Sequence, residues 1–584
     1  MPPRFPHLRR ARVVPAVVTA LVTAGAGLAA CGTRDDPGPD APQPAFGYAL
    51  PVPLVTTNAG SAVGVATDAA KISARLYPGA FLNGPNGQLL PNADLVTAAP
   101  VPPGPDAPAD AVDYTVADAA TFSDSVPVTC DDFYLAWAAG VNPAAFGSDM
   151  PVYRSVTSVD CTPGSRTFRV TFTPGHAGRY RELFGIGQVL PAHTVVAHAG
   201  FGDAAPDGAG AGADSPADAS GDAGTTGADA AGETAGTGQP DVVSLLSSGD
   251  PDTLDRLGAA WRDTFTLATT DPATVPTAGP YRITGRRADG SLTLEPNPAW
   301  RGDAPGQGSV VMWPAGVDYR RIIADRQLVI ADLPPTVRDA DGGDTGFSGA
   351  GLRFSTAAGT RVDGLRLSDQ GVFAPAENRS AFARCIDRAA VVHAVQQTTG
   401  VDVTPTGLRV IAPSHPLAPR LADINGRATA VDRDAAKAAL DGATVRIGFL
   451  GDISRYAPMV TALAGSCAEA GVTVVPVPRT ADDLGQLGVD YDAVLDARSS
   501  FAQNPDSPVS VFSPLGDIRR AEEELDTQTA TIPLTTEPRA IAVNDHVANV
   551  VDNPGEAGLS WNMDRWVEHD APVSSAEPSA SPQA

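Results

Sequence analysis

A chain of 584 residues exceeds what one hydrophobic core usually holds, so two or more lobes are expected. Its 67 acidic and 41 basic side chains leave a formal net charge of −26, which argues against a nucleic-acid-binding surface and describes a self-repelling body. Lys71 and Lys437 are the only lysines, and abundant Gly, Pro, Ala and Asp dilute single-residue propensities, so the reading rests on patterning.

At the N-terminus Arg4, Arg9, Arg10 and Arg12 precede an apolar run over residues 13–27, followed by Leu28-Ala29-Ala30-Cys31. The order of basic, apolar and small-residue segments is that of a secretory signal, and the terminal cysteine makes it resemble a bacterial lipobox. The apolar run is shorter than the roughly 18 residues that a spanning helix needs. Residues 1–30 are therefore read as a signal peptide. Cleavage before Cys31 leaves a lipid-carrying thiol that anchors the chain at the extracytoplasmic face of the cell membrane. The Pro- and Asp-rich residues 31–46 form an extended tether.

Removing Cys31 from the count leaves Cys130, Cys161, Cys385 and Cys467, an even set that suggests two disulfides in an oxidising compartment. Of the three connectivities, the expectation is the local one, Cys130 with Cys161 and Cys385 with Cys467. No Cys or His spacing points to a metal or redox centre, and no cofactor is expected.

Further along, residues 49–55 form an apolar run before Thr56-Thr57-Asn58-Ala59-Gly60, and residues 68–76 read as a helix. Alternation predicts a strand over 113–116, and apolar spacing predicts a helix over 131–139 carrying Phe133, Leu135 and Trp137. Residues 202–240 contain no Lys, Arg or aromatic side chain and read as a disordered insertion. Residues 281–284 and 292–295 alternate around Asp289-Gly290, which predicts a β-hairpin. One helix is expected over 377–397, with Asp387-Arg388 in a capping or bridging role. Strand and helix then alternate: strand 445–450, helix 454–470 stopped at Gly471, strand 472–475, a short helix at 482–487 and strand 493–495. Such alternation implies parallel pairing through right-handed crossovers.

Five segments, in order, resemble those of the family 5 extracellular solute-binding proteins, the dipeptide- and oligopeptide-binding components of ABC importers. The first runs from Thr121-Phe122-Ser123-Asp124 through Pro127-Val128-Thr129 to Asp132-Phe133 and Trp137, and the second is Leu190-Pro191-Ala192-His193. Gly279-Pro280-Tyr281-Arg282-Ile283 and Leu294-Glu295-Pro296-Asn297-Pro298-Ala299-Trp300 follow. The fifth joins Asn378-Arg379-Ser380-Ala381-Phe382 to Ile386-Asp387-Arg388. Cys130 and the segment Trp561-Asn562-Met563-Asp564-Arg565-Trp566 look most like the actinobacterial lipoprotein branch.

The resemblance implies an α/β, two-lobed, periplasmic-binding-protein-like fold (type II, family 5) with a ligand cleft between the lobes. Lobe I is expected over 47–313 and lobe II over 314–512, with a return to lobe I over 513–570, strands crossing near Trp313 and Val511, and a polar tail at 571–584. Thr57 and Asn58 are the cleft contacts it implies on lobe I, and Arg498, Ser499, Ser500 and Phe501 those on lobe II. Family members that bind peptides place a Trp and then an amine-binding Asp after a Tyr-Asp pair. Aligned on Tyr491-Asp492 and Pro505, this chain has Arg498 and Phe501 at those positions. Losing that carboxylate should weaken binding of free peptide N-termini by a few kcal/mol. Arg498 instead presents a planar fork suited to a carboxylate or phosphate. Its replacement by Ala is expected to weaken ligand binding and to leave the ligand-free melting temperature unchanged.

The region 513–536 is shorter than the family's usual helical segment, although 517–525 keeps a helical pattern. No Gly-x-Ser-x-Gly elbow, His-Glu-x-x-His or Walker loop is present, so no catalysis is expected; His193 and His198 fall on different sides of a helix and are read as structural rather than metal ligands. The expected function is a monomeric, membrane-tethered lipoprotein that captures a peptide-like or other small polar solute and delivers it to an ABC permease. The alternative is the same fold used in cell-envelope assembly or protein interaction without transport.

Overall fold

The computed structural model describes residues 45–84, 88–102, 104, 110–201, 240–336, 347–499, 507, 509–553 and 555–569. The lipobox with Cys31, residues 202–239 of the insertion, Ser500, Phe501 and the 571–584 tail lie outside the described residues.

A mixed ten-stranded sheet runs through the body. One end carries Thr473–Arg479, Thr444–Leu450 and Ala493–Arg498, the first two parallel neighbours and the third parallel to the second, as the strand–helix alternation implied. Two long antiparallel strands, Leu352–Leu367 and Thr531–Asn544, form the middle. Ile330–Leu333, Gly47–Ala49, Val310–Trp313, Leu292–Pro296 and Tyr281–Arg286 continue to the other end. The last two make the expected hairpin, with Gly290 at φ +83° in its turn.

Two large apolar cores lie along this sheet. In the first, Tyr114, Phe133, Phe168 and Phe184 stack edge and face, while Trp566 near the C-terminus packs on Phe46 and Tyr48. A separate four-stranded antiparallel sheet, including Ala111–Val116 and Thr167–Phe172, contributes to it. In the second, the helices Ala376–Cys385, Arg388–Thr399 and Tyr456–Ala468 cover Leu365, Ile447, Leu495 and Ile532. The long strands serve both ends: Leu365 and Ile532 enter the second core, while Leu352, Ala540 and Ala542 enter a smaller cluster with Trp313. The helix Leu515–Gln528 and Val511 pack with Leu408 and Ile424 in a small cluster of their own.

Both disulfides join the expected partners, with Cα–Cα distances of 5.7 Å for Cys130–Cys161 and 4.8 Å for Cys385–Cys467. Each lies within one core. The predicted helix over 377–397 is two helices, because Ile386 turns extended and Asp387 caps the second by accepting from the Ala389 N–H at 2.9 Å. The helix over 68–76 is shorter, Ala70–Ser73, and 482–487 forms isolated bridges rather than a helix.

Candidate functional site

Where the long strands pass from one core to the other, a cavity of about 500 Å³ opens. A β-bulge shapes its wall. Ala358 pairs with Pro538 and Val362 with Thr536, so three residues on one strand face Glu537 alone. Bulges bend a strand and re-aim its side chains, and here both Arg361 and Glu537 line the cavity, with Arg361 Nη1 3.7 Å from the carboxylate.

Charged side chains of both halves meet here in pairs. Asp68, between two short helices beside the first core, accepts from Arg361 Nη1 at 2.6 Å. Asp149 lies 3.0 Å from Arg366 Nη2 and also accepts from Arg498 Nη2. Asp496 closes a ring, 3.1 Å from Arg366 Nη2 and 3.0 Å from Arg498 Nε. Within this ring two guanidiniums and two carboxylates cancel. On another wall Asp332 receives Lys71 Nζ at 3.0 Å and Arg539 Nη2 at 2.9 Å. Arg455 grips the fully buried Asp363 through two bonds of 2.8 Å. Pairing is what makes these buried charges tolerable, since an unpaired one costs several kcal/mol.

The electrostatics follow from that pairing. Burial pushes the Asp149 carboxyl up, but Arg366 and Arg498 outweigh it and hold the group well below the usual carboxylate range. The same competition leaves Asp68 lowered, by Arg361 and Lys71, and Asp332 lowered, by Arg539 and Lys71. Glu556 goes the other way. Burial raises its carboxyl, and the guanidiniums of Arg361 and Arg498 offset only part of the rise.

Beside the Asp149–Arg498 pair lies a second cavity of about 130 Å³, with Val65, Asp149 and Arg498 lining both spaces. Phe81, Leu89, Met150 and Ile186 give it apolar walls, while Ser499 and Glu556 face it.

The residues expected to contact ligand divide accordingly. Arg498 lines the large cavity and Ser499 the small one, while Ser500 and Phe501 are outside the described residues. Arg498 is 3% exposed and already committed to Asp149 and Asp496, so it is not an open fork awaiting an anion. Thr57 and Asn58 line neither space. Asn58 is fully buried, donates to the Trp261 carbonyl at 2.9 Å and accepts from the Gly60 and Ser61 N–H groups. It thereby fixes the turn before the helix Ala62–Ala66, whose Ala62 and Val65 do line the large cavity. Sequence reasoning missed Asp68, Asp149, Arg361, Arg366, Asp332 and Glu556. Only Lys71, one of two lysines, carried a signal that could have been followed. His193 is a structural partner, its Nε2 2.9 Å from Asp124 Oδ2.

Two cores joined by long shared strands, with a charged cavity at the crossing, make this a two-lobed binding protein. The chain belongs to the bacterial extracellular solute-binding proteins, family 5, whose middle region matches residues 106–517. It is 25% identical to the uncharacterized lipoprotein Rv2585c of Mycobacterium tuberculosis, over 97% of this chain and 99% of the relative. Identity to the uncharacterized lipoprotein ML0489 of Mycobacterium leprae is 24%, over 89% and 92% of the two chains. Among solved structures, AgaA from A. tumefaciens R10 in complex with agropinic acid superposes with a TM-score of 0.59 at 15% identity, covering 90% of this chain and 99% of that one. The oligopeptide-binding protein AppA of Bacillus subtilis in complex with a nonapeptide gives 0.58 at 13%, covering 90% and 100%. These likenesses define the fold.

Proposed function

We propose that the chain is the solute-binding component of an ABC importer, held outside the cell membrane by lipid on Cys31 and acting as a monomer. It takes a peptide-like or other small polar solute into the cavity between its cores, closes as two lobes about the long strands, and presents the solute to a membrane permease. The observation that carries this reading is the cavity of about 500 Å³ walled by side chains from both cores. Names of relatives as lipoproteins support the anchor. Lobe I then comprises the first core and the chain after about residue 536, and Arg498 and Ser499 remain the proposed contacts on lobe II.

Native mass spectrometry on the gently purified chain, followed by denaturation to release bound solute, tests it. A small molecule at near-unit stoichiometry is expected. An empty protein that gains no thermal stability from peptide, sugar or anion panels overturns the reading. In that case the envelope-assembly alternative gains, favoured by one observation: the buried charges of the cavity pair with one another.

A further inference from the structure

We infer that the smaller cavity is a subsite for an aliphatic ammonium group of the solute, with the Glu556 carboxylate as its anchor. This rests on the solute-binding reading and specifies the chemistry of its ligand.

The argument is one of unmatched partners. The other acidic side chains at this cavity's wall, and Gln188, are already engaged. Asp149 is shared by Arg366 and Arg498. Glu182 is held by Arg179 through two bonds, and Gln188 Oε1 accepts from the Tyr153 hydroxyl and from the Gly185 N–H at 2.9 Å each. Among the described residues Glu556 has one hydrogen bond, from Ser499 Oγ at the long distance of 3.5 Å, and no ion pair. The guanidiniums that act on it most strongly, Arg361 and Arg498, are bonded to Asp68, Asp149 and Asp496. A half-buried carboxylate that faces a largely apolar space with one long hydrogen bond and no ion pair has a demand for a cation.

The backbone holds this group ready. Asn553 donates to the Asn83 carbonyl at 3.2 Å and accepts from the Gly555 N–H at 2.8 Å, and a Cβ at Gly555 would lie 1.8 Å from the Asn83 side chain. Glu556 is therefore presented from a loop packed too closely to drift, the arrangement expected of a preorganised contact. The apolar walls, Phe81, Leu89, Met150 and Ile186, suit the methylene stem of an alkylammonium rather than a compact hydrated ion. The solute would reach this pocket from the larger cavity past the Asp149–Arg498 pair, which borders both. Phe501 stands where peptide-binding relatives align their amine-binding Asp, and Glu556 supplies a carboxylate from a different part of the chain.

The test compares the full chain with Glu556→Gln by calorimetry, using L-lysine and cadaverine against L-norleucine and 1,5-pentanediol, which match their stems without the terminal cation. The wild type should bind the cationic probes roughly tenfold or more tightly than their analogues, and Glu556→Gln should erase that difference. Ligand-free Glu556→Gln should melt no lower than the wild type, because it removes a desolvated charge, and Glu556→Ala serves as a second variant. Equal affinity of both proteins for the cationic probes overturns the inference. So does a co-purified solute that lacks a cationic group, in which case solute binding itself stands. No co-purified solute together with no probe binding to the wild type overturns both readings.

Discussion

Arg498 illustrates how burial changes the meaning of a residue. Read from the sequence it is a fork offered to a carboxylate or phosphate; in the fold it is one corner of a ring with Asp149, Arg366 and Asp496. Truncating it leaves carboxylates buried without full compensation, and removing one partner of such a pair typically costs about 3–5 kcal/mol. Arg498→Ala should therefore lower the urea midpoint of the ligand-free protein, correcting the expectation of an unchanged melting temperature. Arg498→Lys keeps the charge but loses the fork, and should fall between the two. Equal midpoints for wild type and Arg498→Ala would show that the ring contributes nothing to stability. Asp387 offers a smaller case: as cap of the helix Arg388–Thr399 it should cost about 1 kcal/mol on replacement by Ala, read by the same denaturation.

Among the elements, the two disulfides are the clearest places where chain pattern and fold coincide. Cys385–Cys467 joins the ends of two helices that pack in the second core, across 82 residues of sequence. In the chain-entropy model its closure is worth about 4–5 kcal/mol, so the Cys385→Ala, Cys467→Ala double variant should unfold at a clearly lower denaturant concentration. Circular dichroism against urea checks this, and an unchanged midpoint would contradict it. Local pattern was informative for such features because each is encoded over a few residues: the Asp289-Gly290 turn, the Gly471 stop, the β–α–β run after 444. The break at Ile386-Asp387 escaped notice because apolar spacing continues through it, while the cap that ends the helix is a single side chain. The cavity escaped for a different reason. Asp68 meets Arg361 across 293 residues and Asp149 meets Arg498 across 349, and no periodicity in sequence announces such meetings. The bulge that aims Arg361 and Glu537 is likewise a matter of register between strands, visible only once they pair.

For the whole molecule, buried carboxylates of two kinds set the pH dependence. Asp132, pushed up to about 7 by burial, binds its proton more tightly when folded, so its cost is relieved and stability rises as pH falls from 7 toward 4. Asp68, Asp149 and Asp332 are lowered, so the unfolded chain binds protons first and their contribution, present above the ordinary Asp value near 4, is lost as pH falls below it. The two slopes oppose, and a stability maximum is expected at roughly pH 5. Urea midpoints from pH 8 to pH 3 measure it; a monotonic rise with pH would mean that the raised groups, Asp132 and Glu556 among them, have no weight.

The placement of the two disulfides has a mechanical consequence. One cross-link lies inside each half, and among the described residues no covalent cross-link reaches from half to half. Oxidation on export would stiffen two separate blocks while leaving the joint between them untouched. The joint consists of two continuous strands and a set of charge pairs such as Asp149 with Arg498, contacts that separate and re-form without breaking a bond.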